Sequence, residues 1–303
     1  LMVFSFLPLL VVFNDLSTTE LYTLIQHLER AHGVHFAMGG TGVLIKGLAK
    51  LIEKQGGSLR LNAPVAQITV ENGRATGVEL ESGEHIPADI VVSNADSAAT
   101  YKYLLSRTRK KRWTDRKLYR AKYSMSLFVW YFGTNRRYED VDHHMILLSE
   151  RCRELLVDIF DRKILAKDFS LYLHRPTATD TSLAPDGCDA FYVLSPVPNQ
   201  KSCIDWKEQA EPYRQAISQY LSETVLPDLE DHVVTSRMLT PDDFGDRLSS
   251  VNGAAFGLQP ILLQTAWFRP HNISEEVDGL YLVGAGTHPG AGMPGVISSA
   301  KVL

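Results

Sequence analysis

Apolar residues recur at helical spacing in three parts of the chain. One amphipathic helix is predicted over residues 18–30, and a second over 43–55, where the glycine pair at 56–57 ends it. A third helix is predicted over 208–225. The apolar stripe of this third helix is most simply core packing, so we assign no chemistry to it.

Between the second and third predicted helices, the apolar period changes to two. Short strands are predicted at 59–62, 67–70 and 75–80, and a fourth ends at Ile86. An Asn-Gly pair at 72–73 is a strong hairpin signal. The last three strands are therefore predicted to form a small antiparallel meander.

Two apolar runs near turn residues predict strands of a buried sheet. The run 89–93 has the composition of a strand that is buried on both faces, and Asp96 is a natural N-cap for the helix that follows. The run 279–283 is a buried strand that leads into a glycine-rich loop. Further strands are predicted at 126–132, 169–174 and 190–196.

Composition and charge disfavour several classes of protein. The 303 residues carry a net charge of −4 at pH 7, which gives no bulk attraction toward nucleic acid. Three cysteines without a Cys-x-x-Cys pair fit neither a disulfide framework nor a zinc site, and they suit a reducing cytoplasm. We therefore expect no metal and no nucleic-acid partner.

The chain opens on an apolar segment. The run from Leu1 to Phe13 is apolar except for Ser5, and it is too short to span a bilayer. One interpretation is the apolar part of a signal peptide, but no basic residue precedes it and no clear cleavage site follows it. The favoured interpretation is an internal segment that an incomplete N-terminus exposes.

The loop at 284–296 has the highest density of glycine, with five glycines in thirteen residues. Glycine costs about 0.5–1 kcal/mol against alanine in regular structure, so this density indicates a backbone that approaches a ligand closely or adopts positive φ. Residues 290–295 match the letters GxGxxG. Only eight residues follow, too few for the second strand and acidic residue of a dinucleotide fingerprint. The loop is therefore expected to complete a nucleotide site that another segment begins.

The helix that starts near Pro294 suggests what the loop binds. A helix N-terminus presents free N–H groups and about half a positive charge, and proline is tolerated in the first turn. Aimed at the pyrimidine edge of a flavin, this terminus would stabilise the negative charge that develops when the ring accepts a hydride. The alternative is a glycine-rich turn without a ligand.

Four motifs resemble those of one enzyme family. Residues 281–301 (YLVGAGTHPGAGMPGVISSAK) look like the C-terminal flavin-binding signature of phytoene desaturases, in the carotenoid and retinoid oxidoreductase family. Residues 39–42 (GGTG) resemble its mid-chain double-glycine motif, and 93–96 (SNAD) resemble its SNAD turn. Residues 264–272 (QTAWFRPHN) resemble a motif before its last strand. The similarity extends along the whole chain, so it is more specific than one motif.

The resemblance implies an α/β fold with two lobes. One is a Rossmann-type, glutathione-reductase-like lobe that binds FAD and carries a three-stranded antiparallel insertion. The other is a mixed-sheet and helical substrate lobe with a long apolar tunnel. Segments 36–98 and 251–303 would belong to the FAD lobe, and 1–35 and 99–250 to the substrate lobe. The family's opening strand and GxGxxG are not found, so we expect an N-terminally incomplete chain that by itself binds FAD weakly or not at all.

The resemblance also implies which residues contact FAD. Val65 would touch the adenine side through its backbone, Ala95 would lie near the nucleotide, and the glycine loop would approach the flavin ring and ribityl chain. The implied cofactor-binding residues are Gly39, Gly40, Val65, Ala95, Gly284, Gly286, Gly290, Gly292, Met293, Pro294, Gly295 and Val296.

The implied reaction is desaturation of phytoene toward lycopene. Phytoene has no ionisable group, so apolar burial and tunnel shape would recognise it. A hydride would pass to the flavin and a proton to a base that the sequence does not identify, with quinone or oxygen as the electron acceptor. His288 and Arg269 are catalytic candidates because of their proximity to the cofactor. His174, beside an apolar strand, is a weaker candidate because such a histidine is more often structural.

A lipid-soluble substrate predicts contact with a membrane surface. Residues 107–122 hold nine Lys or Arg and a single acid, Asp115, with Trp113 among them. A basic stretch with an interfacial aromatic suits an anionic membrane, at about 1 kcal/mol per basic residue. A solvated helix face is the alternative. We expect a cytoplasmic protein that associates peripherally with a membrane.

Three other interpretations stay open. A carotenoid isomerase, a ketolase or a diapocarotenoid desaturase would share the flavin loop. A non-catalytic lipid-binding protein on the same fold, similar to the prenyl-protein chaperones, would lack an intact loop at 284–295. The third is a fragment that has no activity of its own.

Overall fold

The computed structural model describes residues 30–303. Residues 18–29 of the helix predicted at 18–30, the apolar run at 1–13 and nearly all of the predicted segment 1–35 lie outside the described residues. The helices are α1 (Thr41–Lys54), α2 (Ser97–Ala99, which continues as a π-helix over Thr100–Leu104), α3 (Asp115–Arg120), α4 (Cys152–Val157, which continues as a π-helix over Asp158–Arg162), α5 (Trp206–Thr224), α6 (Leu229–His232), α7 (Pro241–Leu248) and α8 (Met293–Lys301).

Ten strands form three sheets within the described part of the chain. The strands are β1 (Val65–Glu71), β2 (Arg74–Leu80), β3 (His85–Pro87), β4 (Val91–Ser93), β5 (Ser126–Thr134), β6 (His144–Leu147), β7 (Leu171–His174), β8 (Asp189–Val197), β9 (Val233–Leu239) and β10 (Leu280–Leu282). The sheets have the orders β1-β2-β3, β10-β4 and β6-β7-β8-β5-β9.

The first sheet is the predicted antiparallel meander. The Asn-Gly pair at 72–73 adopts positive φ at both residues and joins β1 to β2. The strand predicted at 59–62 is wrong, since these residues are irregular and Leu61 is 83% exposed. A strand needs a ladder partner, and it is Val65 that pairs with Leu80 at this end of β2.

The second sheet is the parallel pair that leads into the glycine loop. β10 pairs with β4, with Leu280 opposite Val91 and Leu282 opposite Ser93. The prediction that both faces of β4 are buried is wrong. Val91 is buried, whereas Val92 is 53% exposed, because side chains alternate between the faces and the face carrying Val92 is open in the described part of the chain.

The third sheet separates two environments. On one face, β5, β7 and β8 pack Trp130, Leu173 and Phe191 against α5. The predicted apolar stripe of α5 lies on this side and is buried through Ile217 and Leu221. On the opposite face, Leu127 and Val129 of β5 belong to an apolar cluster with Leu155 of α4, and the rest of the face carries polar aromatic side chains. We call this surface the tyrosine face; it consists of Tyr131, Tyr172, Tyr192, His144 and His174.

A separate core surrounds the parallel pair. It joins Ile68 of the meander, Tyr101 and Trp113 with Leu258 and Leu280 from the C-terminal part of the chain. This core places the glycine loop beside the meander and α2. None of the helices in residues 30–303 combines the length and apolar composition that crossing a membrane requires. The domain boundaries at 98–99 and 250–251 stay predictions.

Candidate functional site

The loop after β10 is held by buried side chains that bond to its backbone. Arg269, only 6% exposed, donates from Nη1 to the carbonyl oxygens of Thr287 (3.1 Å) and Pro289 (3.3 Å). Asn272 donates from Nδ2 to the carbonyl oxygens of His288 (3.0 Å) and Ser299 (3.1 Å). These bonds fix the path of the backbone independently of the loop's own side chains.

The first two glycines of the loop lie against the SNAD turn. A Cβ on Gly284 would lie 2.5 Å from Asn94 Oδ1, and Gly284 has φ of 102°. A Cβ on Gly286 would overlap Ser97 Oγ, and that hydroxyl donates to the Gly286 carbonyl oxygen at 3.2 Å. Glycine is therefore favoured here because the side chains of Asn94 and Ser97, about 190 positions away in the sequence, pack directly against the loop backbone.

The later glycines shape the start of α8. A Cβ on Gly295 would lie 2.6 Å from the carbonyl oxygen of Gly290. Gly292, at φ of 94°, is the N-cap residue, and no side chain caps this helix. Met293 and Pro294 of the first turn are exposed. The free N–H groups and positive end of the helix dipole are thus available to a ligand with negative character.

The SNAD turn is fixed by Asp96. Its carboxylate accepts from the N–H of Ala98 at 2.9 Å, as predicted for an N-cap, and from the N–H of Val251 at 2.9 Å. Burial raises the pKa of this carboxyl, and the hydrogen bonds from the two N–H groups oppose the shift. The interaction ties α2 to the turn at 251–253, beside the core that surrounds the parallel pair.

Two predicted cofactor residues line one cleft. Val65 and Ala95 lie on the walls of a cavity of about 700 Å³, which the open side of β4 and the segment 245–252 also line. Val92 of β4 contributes its exposed side chain to this cavity. The structure therefore brings Val65 and Ala95 together, next to the turn that packs against Gly284 and Gly286.

The double-glycine motif lies at the start of α1. Gly39 donates its N–H to Asp180 Oδ2 at 2.6 Å, and the pKa of that carboxyl is lowered by the Ser182 hydroxyl and by this N–H. Gly40 is the N-cap residue, with φ of 79°. Among the described residues, both glycines therefore pack beside the turn at 180–183. Neither glycine contacts the loop at 284–292 in this part of the chain.

The three catalytic candidates have different surroundings. Arg269 is a buried residue that holds the loop. His288 is exposed, and its carbonyl oxygen accepts from Asn272. His174 lies on β7 in the third sheet. The catalytic roles of these three residues stay predictions. The hydrogen bonds of Arg269 indicate that it positions the loop.

Three histidines form a cluster that the sequence does not predict. His143 Nε2 lies 2.9 Å from His174 Nε2, and one ring nitrogen from each of His143, His144 and His174 lies within 4.8 Å of the others. Burial lowers the pKa of all three imidazoles, and that of His174 falls to about 4, with smaller contributions from its two neighbours. The adjacent pair at 143–144 is visible in the sequence, but its pairing with His174 depends on the register of β6 and β7.

The basic stretch at 107–122 is partly built into the fold. Trp113 is 2% exposed, and its Nε1 donates to Glu275 at 2.7 Å. The backbone N–H groups of residues 111–113 all donate to the carboxylate of Glu276. The prediction that Trp113 is an interfacial aromatic is therefore wrong, because the indole packs in the core.

A different set of apolar residues lies beside the basic stretch. Gln264 accepts from the Lys122 N–H at 3.0 Å and donates to its carbonyl oxygen at 2.8 Å, which fixes the turns at 262–268 next to α3. Trp267 on these turns is 71% exposed. We call this surface the basic-apolar patch; it consists of Arg116, Lys117, Arg120, Lys122, Leu262, Leu263, Trp267 and Phe268.

Comparison with curated proteins identifies close relatives. The chain is 49% identical over 307 residues to a neurosporene-forming phytoene desaturase of Cereibacter sphaeroides, covering 100% of this chain and 59% of the relative. It is 47% identical over 299 residues to a lycopene-forming phytoene desaturase of Pantoea ananas, covering 98% and 61%. The resemblance to phytoene desaturases is thus confirmed, and the chain spans about 60% of the length of these relatives.

Comparison with solved structures supports the fold. An oxidoreductase from Methanosarcina mazei superposes with a TM-score of 0.60 at 22% identity, covering 88% of this chain and 54% of that one. The predicted α/β fold class is confirmed by this likeness and by the sheets described above.

A family model for flavin containing amine oxidoreductases matches residues 4–302. The chain therefore belongs to the flavin containing amine oxidoreductase family.

Proposed function

We propose that this chain is part of a FAD-dependent enzyme that desaturates phytoene toward lycopene. The observation that carries the proposal is the loop at 284–292, whose glycines pack against the side chains of Asn94 and Ser97 and whose carbonyls are held by Arg269 and Asn272. Such rigid backbone with an uncapped helix start suits recognition of a flat, electron-accepting ring. The similarity to phytoene desaturases supplies the substrate class.

The residues present fit FAD on structural grounds. A Cβ on Gly292 would meet nothing within 4 Å, so space beside the first turn of α8 is open. The 700 Å³ cleft between Val65, Ala95 and the segment 245–252 is open as well. FAD, when bound, would supply the hydride acceptor. The helix start would stabilise negative charge on it, and Val65 and Ala95 would hold the nucleotide end.

The tyrosine face is the proposed floor of the substrate site. It lies on the side of the third sheet away from α5 and combines ring surface with few charges, since burial lowers the pKa of both its histidines and favours their neutral forms. Aromatic and apolar surface recognises a polyene through burial, which is the only recognition that phytoene offers. The catalytic base stays unassigned.

The test is carotenoid production in cells. The protein, expressed from its whole gene in bacteria that accumulate phytoene, is expected to yield lycopene, identified by chromatography of the extracted pigments. Gly286→Ala should abolish the product, whereas Gly42→Ala, which has open space on exposed α1, should not. Phytoene that persists unchanged with a folded, flavin-containing protein would contradict desaturation. An isomerised or ketolated product would favour the related carotenoid enzymes instead.

We also propose that the electron acceptor is quinone or oxygen. Both can re-oxidise a reduced flavin, and a membrane-dissolved quinone would reach the same lipid environment as the substrate. Turnover of the purified enzyme under anaerobic conditions, with and without added quinone, distinguishes the two. Turnover that continues without either acceptor would contradict the proposal.

Peripheral membrane association is the last part of the proposed function. We propose that the basic-apolar patch, rather than Trp113, meets an anionic membrane. Its exposed Leu263 and Trp267 would enter the interface, while Arg116 and Arg120 would lie near lipid phosphates, at about 1 kcal/mol per basic residue.

Vesicle flotation tests this surface. The protein should float with vesicles containing anionic lipid, and Leu263→Ser with Arg120→Glu should reduce the bound fraction at least tenfold. Leu61→Ser with Arg60→Glu, on an exposed segment elsewhere, is the matched control and should bind like the unmodified protein. Equal binding by all three proteins would remove the patch from the proposal.

A further inference from the structure

We propose that His143, His144 and His174 bind one divalent transition-metal ion. One ring nitrogen from each residue lies within 4.8 Å of the other two, and His143 Nε2 is 2.9 Å from His174 Nε2. Such a site is separate from the glycine loop, shares His144 and His174 with the tyrosine face, and takes part in no step of the proposed desaturation. It lies at the edge of the tyrosine face, where His144 is exposed and accessible from solvent.

Strand register creates the cluster. His144 is directly opposite His174 in the antiparallel β6–β7 pair, so both side chains project from the same face of the sheet. Their rings stack at a centroid distance of 5.1 Å. His143, immediately before β6, turns its ring toward both and lies 4.8 Å from the His174 ring. The three imidazoles are therefore gathered by backbone pairing before any ion binds.

Neighbouring hydroxyls orient two of the rings. His144 Nδ1 is 2.6 Å from the Tyr172 hydroxyl, and His143 Nδ1 is hydrogen-bonded to the Thr179 hydroxyl. This leaves Nε2 of each ring as the candidate ligand atom. Metal-bound histidines commonly use the second ring nitrogen in this way, and the hydrogen bond fixes the ring orientation. Thr179 and Tyr172 would thus act as positioning residues.

One polar atom in the cluster is unexplained by the protein alone. His174 Nδ1 is buried and has no hydrogen-bond partner among the described residues. Its other nitrogen, Nε2, faces Nε2 of His143, which gives two ring nitrogens opposite each other. An ion at the Nε2 atoms would bind the lone pairs of His143 and His174 together, and His174 would then carry its proton on Nδ1, which has no partner among the described residues.

The ligand set indicates the class of ion. Imidazole nitrogens favour Zn²⁺, Cu²⁺ and Ni²⁺ over Mg²⁺ and Ca²⁺, which prefer oxygen. In a tetrahedral zinc site with Zn–N bonds of about 2.0–2.1 Å, the nitrogens lie about 3.3 Å apart. To reach that value, the His143–His174 separation of 2.9 Å would widen slightly, and separations in the cluster of up to 4.8 Å would shorten. Three protein ligands leave a fourth position for water or another small ligand.

The site would also fasten neighbouring segments. Phe36 packs edge-on against His143 with ring centroids 4.7 Å apart, and Thr179 precedes Asp180, which accepts from Gly39. An ion at the cluster would therefore restrain β6, β7 and the turn at 176–180 together, beside the segment that leads into α1.

Metal binding to the untagged protein tests the proposal. The protein is stripped with a chelator, and Zn²⁺ binding is measured by titration calorimetry, with Co²⁺ absorption as a second readout of coordination by nitrogen. One equivalent of Zn²⁺ is expected, together with a rise in Tm. His144→Ala, at an exposed position, should weaken binding at least tenfold, and Tyr172→Phe should weaken it about tenfold through loss of ring orientation.

His85→Ala is the matched control, because His85 is an exposed histidine on the meander. It should bind Zn²⁺ like the unmodified protein. The proposal is overturned if no stoichiometric binding occurs at micromolar Zn²⁺, or if His144→Ala and Tyr172→Phe bind as tightly as the His85→Ala control. Both variants retain their backbone hydrogen bonds, and circular dichroism checks that they fold.

Discussion

The glycine loop and the tyrosine face build their surfaces in opposite ways. The loop presents backbone, and its shape depends on buried side chains such as Arg269 and Asn272 that bond to main-chain carbonyls. The tyrosine face presents side chains from separate strands, and its backbone is an ordinary antiparallel ladder. Adding or removing one side-chain atom should therefore lower the free energy of unfolding strongly in the loop and only slightly on the tyrosine face.

The largest expected effect is at Gly286. In Gly286→Ala, the new Cβ overlaps Ser97 Oγ and also lies 3.0 Å from Ser97 Cβ and 3.2 Å from Ser97 N, so turning the serine hydroxyl does not relieve the whole contact and α2 must give way as well. Overpacking in a close contact costs about 1–3 kcal/mol, and we expect the upper end of that range. Urea denaturation measures it, with Gly42→Ala as the control. If both variants lose equal stability, the loop is not a close-packed unit and the contrast with the tyrosine face fails.

An intermediate effect is expected at Asn272. In Asn272→Ala, the buried carbonyl oxygens of His288 and Ser299 lose a donor, which costs about 1–3 kcal/mol. The flavin content of the purified enzyme should fall as well, because the loop loses its support. An unchanged flavin content together with reduced stability would show that this bond supports the fold alone.

The smallest effect is expected at Tyr131. Its side chain is partly exposed on the tyrosine face, so Tyr131→Phe should change stability by no more than about 0.5 kcal/mol. If the face is the substrate floor, the ratio of carotenoid products or KM should change while stability does not. Chromatography of products beside the same denaturation experiment provides both values. A loss of stability in Tyr131→Phe as large as that in Gly286→Ala would contradict the proposed difference between the glycine loop and the tyrosine face.

The sequence predicts local features well. The meander, the cap at Asp96 and α5 follow from turn chemistry, capping and periodicity within short windows. The strand leading into the glycine loop is predicted for the same reason. The density of glycine predicts that the loop backbone packs closely against something. It does not predict that Ser97 is the residue that Gly286 approaches.

Features that depend on distant partners could not be predicted. β6 and β9 lack a strong local pattern and exist because β7 and β5 pair with them. Trp113 is aromatic within a basic stretch, and its burial depends on the core around the parallel pair and on the carboxylates of residues 275–276. The histidine cluster likewise needs a register between strands about 30 residues apart.

Ser299 joins the end of β10 to α8. Its hydroxyl accepts from the Gly284 N–H at 2.7 Å and donates to the Val296 carbonyl oxygen at 2.6 Å. Both Gly284 and Ser299 are buried, so exchange of the Gly284 amide with deuterium requires this hydroxyl to release it. Local opening should then involve the loop and the helix as one cooperative unit, and their amides should exchange at a common rate.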